Sequence, residues 1–407
     1  MLRITLIIIS LFIFSNIQSF AQESPFQFRE GSWKSAKKYA KKTDKLIFIQ
    51  AMSKNCTACD KLEKGALMDQ AVADVYNASF VLFKLDSNIE NRSSIEKSLS
   101  VSTFPTSMFV DAKGQVIHKY VGAISNAEML DMAKRVQAKK ATLADYNKRY
   151  KLGPDNFSSD ELYDYAKVLY YASMDYHTVA EAYFVRQTDD ELGTPQNINA
   201  IILFTDDINS REFLFIARRS SNMTPESASY AQIQFKVEDI ISNTIIDYAQ
   251  QVKNVSLIED SLNSIFNKYE IQNMNMVHSR VLLDYFEYVK PDNQKYFMVL
   301  PDYMNSHLTL MTASRIGDEC RRVSLDCENR EILEMAIQWM NVAIDEQPKN
   351  IDLYMISIDL FIKLERYGEV EDMAQRLLDT CGGEIENPEK VMMTINNKME
   401  SAMRQSK

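Results

Sequence analysis

Two cysteines separated by two residues, Cys56 and Cys59, are the residues of this chain best suited to chemistry. They follow an apolar run at residues 46–49 that predicts a buried strand, and they precede a helical stretch that extends to about Ala78. A helix N-terminus carries partial positive charge and free N–H groups, which favour a thiolate. Cys56 would then be the exposed nucleophile. Cys59, one turn into the helix, could attack a mixed disulfide formed at Cys56.

Other roles remain open for this cysteine pair. It could be a static disulfide, or an inactive pair on a binding domain. A zinc site would need two more ligands. The nearest histidine, His118, lies on a predicted strand with no second C-x-x-C nearby, so we predict no metal site. No pattern for a nucleotide or flavin accompanies the pair, and we predict no cofactor.

The elements around the cysteines alternate between strands and helices. The predicted strands are residues 46–49, 80–85, 104–110 and 116–121, with helices at 27–45, after Cys59, between the second and third strands, and at 126–137. Early strands separated by helices imply a parallel pair, whereas the turn at Lys113-Gly114 implies an antiparallel hairpin. Six lysines of the first helix suggest either a solvated face or an anion-binding patch, and the first is favoured.

Residues 27–138 resemble a thioredoxin-fold domain, of the secreted kind in which a lysine-rich helix precedes the first strand. The matching residues are Leu46 to Ile49, Cys56, Cys59, Lys61-Leu62-Glu63, Phe80-Val81, Lys84-Leu85-Asp86, Phe104-Pro105-Thr106, Gly114 and Gly122. The resemblance implies an α/β fold with a central mixed sheet flanked by helices. It also implies that Phe104-Pro105 is a cis peptide facing the cysteines, where the neighbouring backbone can pair with an extended substrate peptide.

The sequence departs from the family pattern near the cysteines. Asn55 stands where a tryptophan is frequent, and Gln50 stands where a buried acid often helps to deprotonate the resolving thiol. Lys84, the matching partner of that acid, is retained. Asp60 places a negative charge beside Cys59, which opposes thiolate formation there. Thiol exchange is therefore expected, but not a fast and strongly reducing thioredoxin.

The first residues read as a targeting segment. A short positive region at Arg3, an apolar run from Ile4 to Phe14 and the sequence Ser19-Phe20-Ala21 predict a signal peptide at residues 1–21, cleaved after Ala21. The run is short for a bilayer span, which favours cleavage over a membrane anchor. No later stretch is long and apolar enough to span a bilayer. We expect an exported protein, in the periplasm or secreted, where disulfides persist.

We predict a thioredoxin-like domain at residues 22–138 and an all-α domain at residues 139–407. The chain has only 10 glycines and 9 prolines, less than half the usual share of roughly 12%, so helix should dominate. The helical part resembles tetratricopeptide repeats, most clearly at residues 332–380. The spacing of Ala336, Ala343, Pro348, Tyr354, Phe361 and Tyr367 carries this resemblance, and Tyr163, Tyr170 and Tyr176 repeat part of it. These aromatic residues could equally be core positions of unrelated helices.

Three further cysteines lie in the helical part. Cys320 and Cys327 are seven positions apart and could form a structural disulfide only if the helix breaks between them, which Val323-Ser324-Leu325 could allow. Cys381 would remain unpaired. Both possibilities are left open for the first two.

The composition narrows the class of function. The chain has 407 residues, 46% of them hydrophobic, and a net charge of −10, which disfavours sequence-independent binding of nucleic acid. No G-x-S-x-G or serine–histidine–acid order supports a hydrolase. We therefore expect a thiol–disulfide oxidoreductase with protein thiol or disulfide substrates, a redox partner, and a helical domain that docks a protein. The alternative is a redox-inactive binding or scaffold protein.

Overall fold

The computed structural model describes residues 24–54, 56–86, 89–223, 229–252, 256–269, 274–385 and 387–405. The predicted signal peptide and Asn55 lie outside these residues. The chain divides into two compact units, Met1–Gly193 and Thr194–Lys407, called unit 1 and unit 2 below. No helix of the described residues is both long enough and apolar enough to cross a membrane.

Unit 1 contains a four-stranded mixed sheet. Its strands are β1 (Ile47–Ala51), β2 (Val81–Leu85), β3 (Thr106–Val110) and β4 (Val116–Val121). They lie in the order β2-β1-β3-β4, with β1 parallel to β2 and β3 antiparallel to both β1 and β4. Both the predicted parallel pair and the predicted hairpin are confirmed. Gly114 has a φ of 91° in the hairpin turn, a conformation that glycine adopts without a steric penalty.

Eight α-helices surround or follow this sheet in the described part of unit 1. They are α1 (Trp33–Thr43), α2 (Thr57–Lys64), α3 (Gln70–Ser79), α4 (Arg92–Ser98), α5 (Asn126–Ala138), α6 (Leu143–Tyr150), α7 (Ser159–Tyr171) and α8 (His177–Phe184). The first helix begins at Trp33 and not at residue 27, because the Ser32 hydroxyl caps it by accepting from the Ser35 amide.

The sheet has a hydrophobic core on each face, because alternate side chains of each strand point to opposite sides. One core contains Phe48, Leu82 and Phe109 together with Tyr76 of α3 and Met129 of α5. The other contains the alternate β1 residues Ile47, Ile49 and Ala51. These pack with Ala36 and Ala40 of α1 and with Ile95 of α4. The result is the three-layer α/β arrangement that the sequence predicts.

Unit 1 continues beyond residue 138, where the predicted domain limit lies. Helices α6 and α7 pack against β4. Arg135 of α5 donates to Asp164 of α7 at 2.9 Å, and the Tyr146 hydroxyl of α6 donates to the same carboxylate at 2.7 Å. The Tyr120 ring of β4 stacks on the Tyr171 ring with centroids 4.8 Å apart. These contacts hold α5, α6, α7 and β4 together as one packed group.

His118 of β4 is buried beneath this group. Its Nδ1 accepts a hydrogen bond from the Leu143 amide at 3.1 Å, which requires an unprotonated Nδ1. Burial lowers the pKa of His118 to about 4, and the charge of Arg135 acts in the same direction. The imidazole is therefore neutral at pH 7.

The stability of unit 1 is expected to fall as the pH drops from about 6.5 to about 4. In that range the unfolded chain binds a proton at His118, whereas the folded protein does not. Because the folded-state pKa is about 4, the free energy of unfolding should fall by up to about 3 kcal/mol. Urea denaturation of the full chain at several pH values measures this. His118→Asn keeps an acceptor for Leu143 without the titration and should flatten the profile, whereas His177→Asn, at a histidine whose side chain is 58% exposed, should not. An unchanged profile in His118→Asn contradicts the prediction.

Unit 2 is all-helical in its described residues. Its α-helices are α9 (Pro195–Phe204), α10 (Arg211–Asn222), α11 (Tyr230–Val252), α12 (Ser256–Tyr269), α13 (Met274–Asp284), α14 (Asn293–His307), α15 (Ala313–Asp326), α16 (Arg330–Glu346), α17 (Ile351–Lys363), α18 (Tyr367–Cys381) and α19 (Pro388–Gln405), with a π-helical turn at Tyr285–Val289. Successive helices pack against one another, notably α15 on α16 and α17 on α18. This region is consistent with helical repeats.

The aromatic spacing that suggested repeats has different surroundings in its two occurrences. In unit 2, Tyr354 and Phe361 of α17 are both buried, as are Ala336 and Ala343 of α16. In unit 1, Tyr170 of α7 is exposed. The same spacing therefore serves core packing in α17 and lies partly on the surface in α7.

Of the two possibilities left open for Cys320 and Cys327, the structure shows the one without a disulfide. Cys320 and Cys327 are free thiols and are buried, and Cys381 is also buried. The helix α15 continues unbroken to Asp326 and Cys327 caps it, so seven positions place the two Cα atoms roughly 10 Å apart, beyond disulfide reach. The Cys320 thiol donates instead to the Ala336 carbonyl at 3.7 Å. Burial raises the pKa of both thiols, which makes them poor nucleophiles.

Candidate functional site

Cys56 and Cys59 form a disulfide at the N-terminus of α2. Cys56 is the N-cap residue, and its Sγ accepts from the Cys59 amide at 3.2 Å. Cys56 is half-buried, whereas Cys59 is only 2% exposed. The asymmetry predicted for an attacking and a resolving cysteine is therefore present, because only Cys56 can be approached from solvent.

The disulfide rests on the hydrophobic core of one sheet face. Cys59 belongs to this core together with Met52 and Leu62, and Cys56 and Phe104 pack against it. Met52 follows β1 directly, and its amide donates to the Leu85 carbonyl at 3.0 Å. The end of β1 and the start of α2 thus hold the two cysteines against a hydrophobic surface.

Phe104 and Pro105 lie at the start of β3, beside the same core. The peptide bond between them is cis, as the family resemblance implies. The Pro105 carbonyl accepts from the Gly122 amide at 2.8 Å, and Gly122 closes β4 with a φ of 105°. A hydrogen bond between Thr106 Oγ1 and the Thr103 carbonyl, 2.6 Å long, further fixes the loop. Phe104, the first residue of the predicted substrate-binding pair, therefore packs against the same core as Cys56 and Cys59.

Gln50 and Lys84 are neighbours on β1 and β2 but have separate partners. Gln50 is fully buried. Its Oε1 accepts from the Ser107 hydroxyl at 2.7 Å, and its Nε2 donates weakly to the Thr106 carbonyl at 3.4 Å. Lys84 pairs with Glu63 of α2 at 2.5 Å. A neutral amide thus occupies the buried position, and the lysine reaches an acid on the cysteine helix.

Arg92 is a residue of this site that the sequence analysis missed. Its Nη2 donates to the Met52 carbonyl at 2.9 Å, and its guanidinium lies 5.0 Å from the centroid of the Phe104 ring. One isolated arginine after a strand has no motif that would have identified it. The contacts arise only because α4 starts next to both loops.

The histidine of the thioredoxin-like region is not part of the site. His118 lies on β4, and its Nδ1 accepts from the Leu143 amide of α6. Within the part of the chain that the structure describes, no group of three or more histidines, cysteines or acids could hold a metal ion.

The arrangement defines a class: a thioredoxin-like domain whose C-x-x-C pair forms a disulfide at a helix N-terminus beside a cis-proline loop. Residues 33–137 match the family model of the thioredoxin-like domain. The chain therefore contains a thioredoxin-like domain at these residues. No curated protein matches the chain.

Two solved structures are similar to this part of the chain. A proposed disulphide isomerase from Bacteroides thetaiotaomicron is 34% identical, with 28% of this chain and 95% of that chain covered, at a TM-score of 0.26. A thioredoxin from Thermus thermophilus is 21% identical, with 28% of this chain and 88% of that chain covered, at a TM-score of 0.25.

Proposed function

We propose that this protein is an exported thiol–disulfide oxidoreductase that exchanges disulfides with protein substrates through Cys56 and Cys59. The observation that carries the proposal is the disulfide itself, with a half-buried Cys56 at a helix N-terminus and a buried Cys59 behind it. The thioredoxin-like domain supports a function of this kind.

The exchange follows from the position of each sulfur. In the reducing direction, the Cys56 thiolate attacks one sulfur of a substrate disulfide and releases the other as a thiolate. The Cys59 thiolate then attacks Cys56 in the mixed disulfide, which forms the Cys56–Cys59 bond and frees the second substrate thiolate. Two electrons pass to the substrate. The reverse sequence oxidises a substrate dithiol, and neither direction needs a nucleotide, a flavin or a metal.

Phe104 and Pro105 are the proposed contact for the substrate chain. A proline has no N–H, so the backbone beside it is free to pair with an extended segment. Phe104 packs against the core that contains Cys59 and that Cys56 also contacts, and Pro105 follows it directly, which supports this role. The same edge would hold the substrate cysteine near Cys56.

Export and partner docking complete the proposal. The apolar segment at residues 1–21 supports export to the periplasm or secretion, where the pair would need a separate redox partner. The mostly helical region after residue 139 supports docking of a protein partner, because stacked helices present extended binding surfaces.

A redox-inactive binding protein is the second candidate. The neutral Gln50 favours it, because this buried position of β1 carries no acid that could accept the Cys59 proton. In that case the Phe104–Pro105 edge and the helical region would carry the function.

A redox titration of the full chain separates these two candidates. The fully oxidised protein should show three free thiols, Cys320, Cys327 and Cys381, after denaturation, and the fully reduced protein should show all five cysteines as thiols. Mass counting of trapped thiols in dithiothreitol or glutathione buffers gives the midpoint. A value near roughly −270 mV indicates a reductant and one near about −120 mV an oxidant. Absence of a reversible two-electron transition contradicts the proposed activity.

A further inference from the structure

The guanidinium of Arg92 joins the two loops that border the disulfide. Arg92 is the first residue of α4, and its side chain is 18% exposed. It donates to the Met52 carbonyl on the loop that leads to Cys56. It also lies over the ring of Phe104, the residue before Pro105.

The third contact of Arg92 orients it. Its Nε donates to Glu96 Oε1, one helical turn further along α4, at 2.5 Å. A guanidinium is planar, so it can donate in its plane to a carbonyl and a carboxylate while its face rests on an aromatic ring. A lysine ammonium lacks this planar fork and its stacking face. The site therefore uses a property that is specific to arginine.

We infer that Arg92 is a positioning residue for exchange with polypeptide substrates. By clamping the Phe104 ring against the Met52 loop, it fixes the Phe104 backbone at the distance from Cys56 that an extended substrate requires. This inference rests on the proposed oxidoreductase function. A small thiol such as dithiothreitol does not pair with that backbone, so its exchange should depend on the cysteines and not on Arg92.

The test compares two substrates in the full-length protein. Arg92→Gln should raise KM for a fluorescent peptide disulfide about five- to tenfold, the effect of losing one charge-assisted or cation–π contact, with kcat little changed. Its rate of reduction by dithiothreitol should stay within about twofold of the wild-type rate. Arg92→Lys keeps the charge and the fold but not the fork, and should show most of the same rise in KM.

The matched control is Arg149→Gln. Arg149 of α6 has the same three kinds of partner as Arg92: an aromatic ring, a carboxylate and a backbone carbonyl. It lies 4.4 Å from the Phe157 ring centroid, and it donates to the Glu161 carboxylate at 2.7 Å and to the Asn156 carbonyl at 3.4 Å. It lies outside the proposed substrate edge. Its loss should lower stability about as much as the loss of Arg92 while leaving KM for the peptide unchanged.

Three outcomes would overturn the inference. If the wild-type protein is active and KM is unchanged in both Arg92 variants, the inference about Arg92 is wrong and the proposed function stands. A parallel fall in the peptide and dithiothreitol rates shows that Arg92 supports the fold and not substrate placement. The inference about Arg92 is then wrong, and the proposed function again stands. A wild-type protein that exchanges with neither probe removes the proposed function and this inference with it.

Discussion

Replacing Cys59 with serine is expected to convert the protein into a trap for its substrates. Cys56 can still attack a substrate disulfide, but no neighbouring thiolate can then resolve the mixed disulfide. Turnover should fall by at least about a hundredfold, and a covalent complex should accumulate that dithiothreitol releases. Non-reducing electrophoresis with mass spectrometry of the product measures both effects. The burial of Cys59 supports the assignment, since a substrate cannot easily reach it.

Cys56→Ser is the matching control, because it removes the exposed nucleophile. That variant should neither turn over nor form a covalent complex. A trap at Cys59 in the absence of Cys56 would reverse the two roles. Full exchange in Cys56→Ser would mean that the mechanism is wrong, and attention would move to the binding-protein alternative.

The second large effect is expected in unit 2, where His307 and Glu238 form a fully buried pair. Their side chains are 0% exposed, and His307 Nε2 lies 2.9 Å from Glu238 Oε2. His307 Nδ1 lies 2.8 Å from the Tyr303 carbonyl oxygen, and Nε2 lies within hydrogen-bond distance of both Glu238 carboxylate oxygens. Gln234 donates to the same carboxylate at 2.8 Å. The pair joins α11 to α14 inside the helical unit.

His307→Leu should destabilise unit 2 by about 3–5 kcal/mol, because the Glu238 carboxylate would remain buried with Gln234 as its neutral donor. Thermal and urea unfolding followed by circular dichroism would measure this as loss of helix at lower temperature and denaturant concentration. The expected loss is a large fraction of the roughly 5–15 kcal/mol that stabilises a typical domain.

Two companion variants separate the pair from simple packing. Glu238→Gln keeps a hydrogen bond to Nε2 and should cost much less than His307→Leu. The double variant Glu238→Met/His307→Leu removes both polar groups, and it should recover most of the stability that His307→Leu loses. A single variant His307→Leu that costs under about 1 kcal/mol would show that the carboxylate finds another partner or water.

The local features of the candidate site were predictable from the sequence. Each strand of the sheet overlaps a segment that the sequence predicts as a strand, and the C-x-x-C pair falls where a strand gives way to a helix. Helix limits follow capping residues, as at Ser158 and Glu161, which form a capping box at the start of α7. These features depend on neighbours within a few residues, so the order of residues carries them.

Partners that are distant in the chain were not predictable. Lys84 pairs with Glu63 rather than with residue 50, and Arg92 reaches Met52 and Phe104, because the fold brings α2 and α4 to the end of β1. Glu238 and His307 are 69 positions apart and carry no shared motif. Charged residues have no period that reveals which of many opposite charges they will meet.

The sequence by itself determined the class of this protein: a C-x-x-C pair at the start of a helix, a proline before a later strand, and a mixed α/β region followed by helices. Those are local patterns whose backbone preferences act over one or two turns. The tertiary structure decided that Cys320 and Cys327 stay apart, because α15 packs against α16 as a helix that is continuous across Val323. It alone decided that a neutral Gln50 is fully buried, that Arg92 joins the loops beside Cys56, and that His118 is covered, since burial and contact depend on which surfaces pack together.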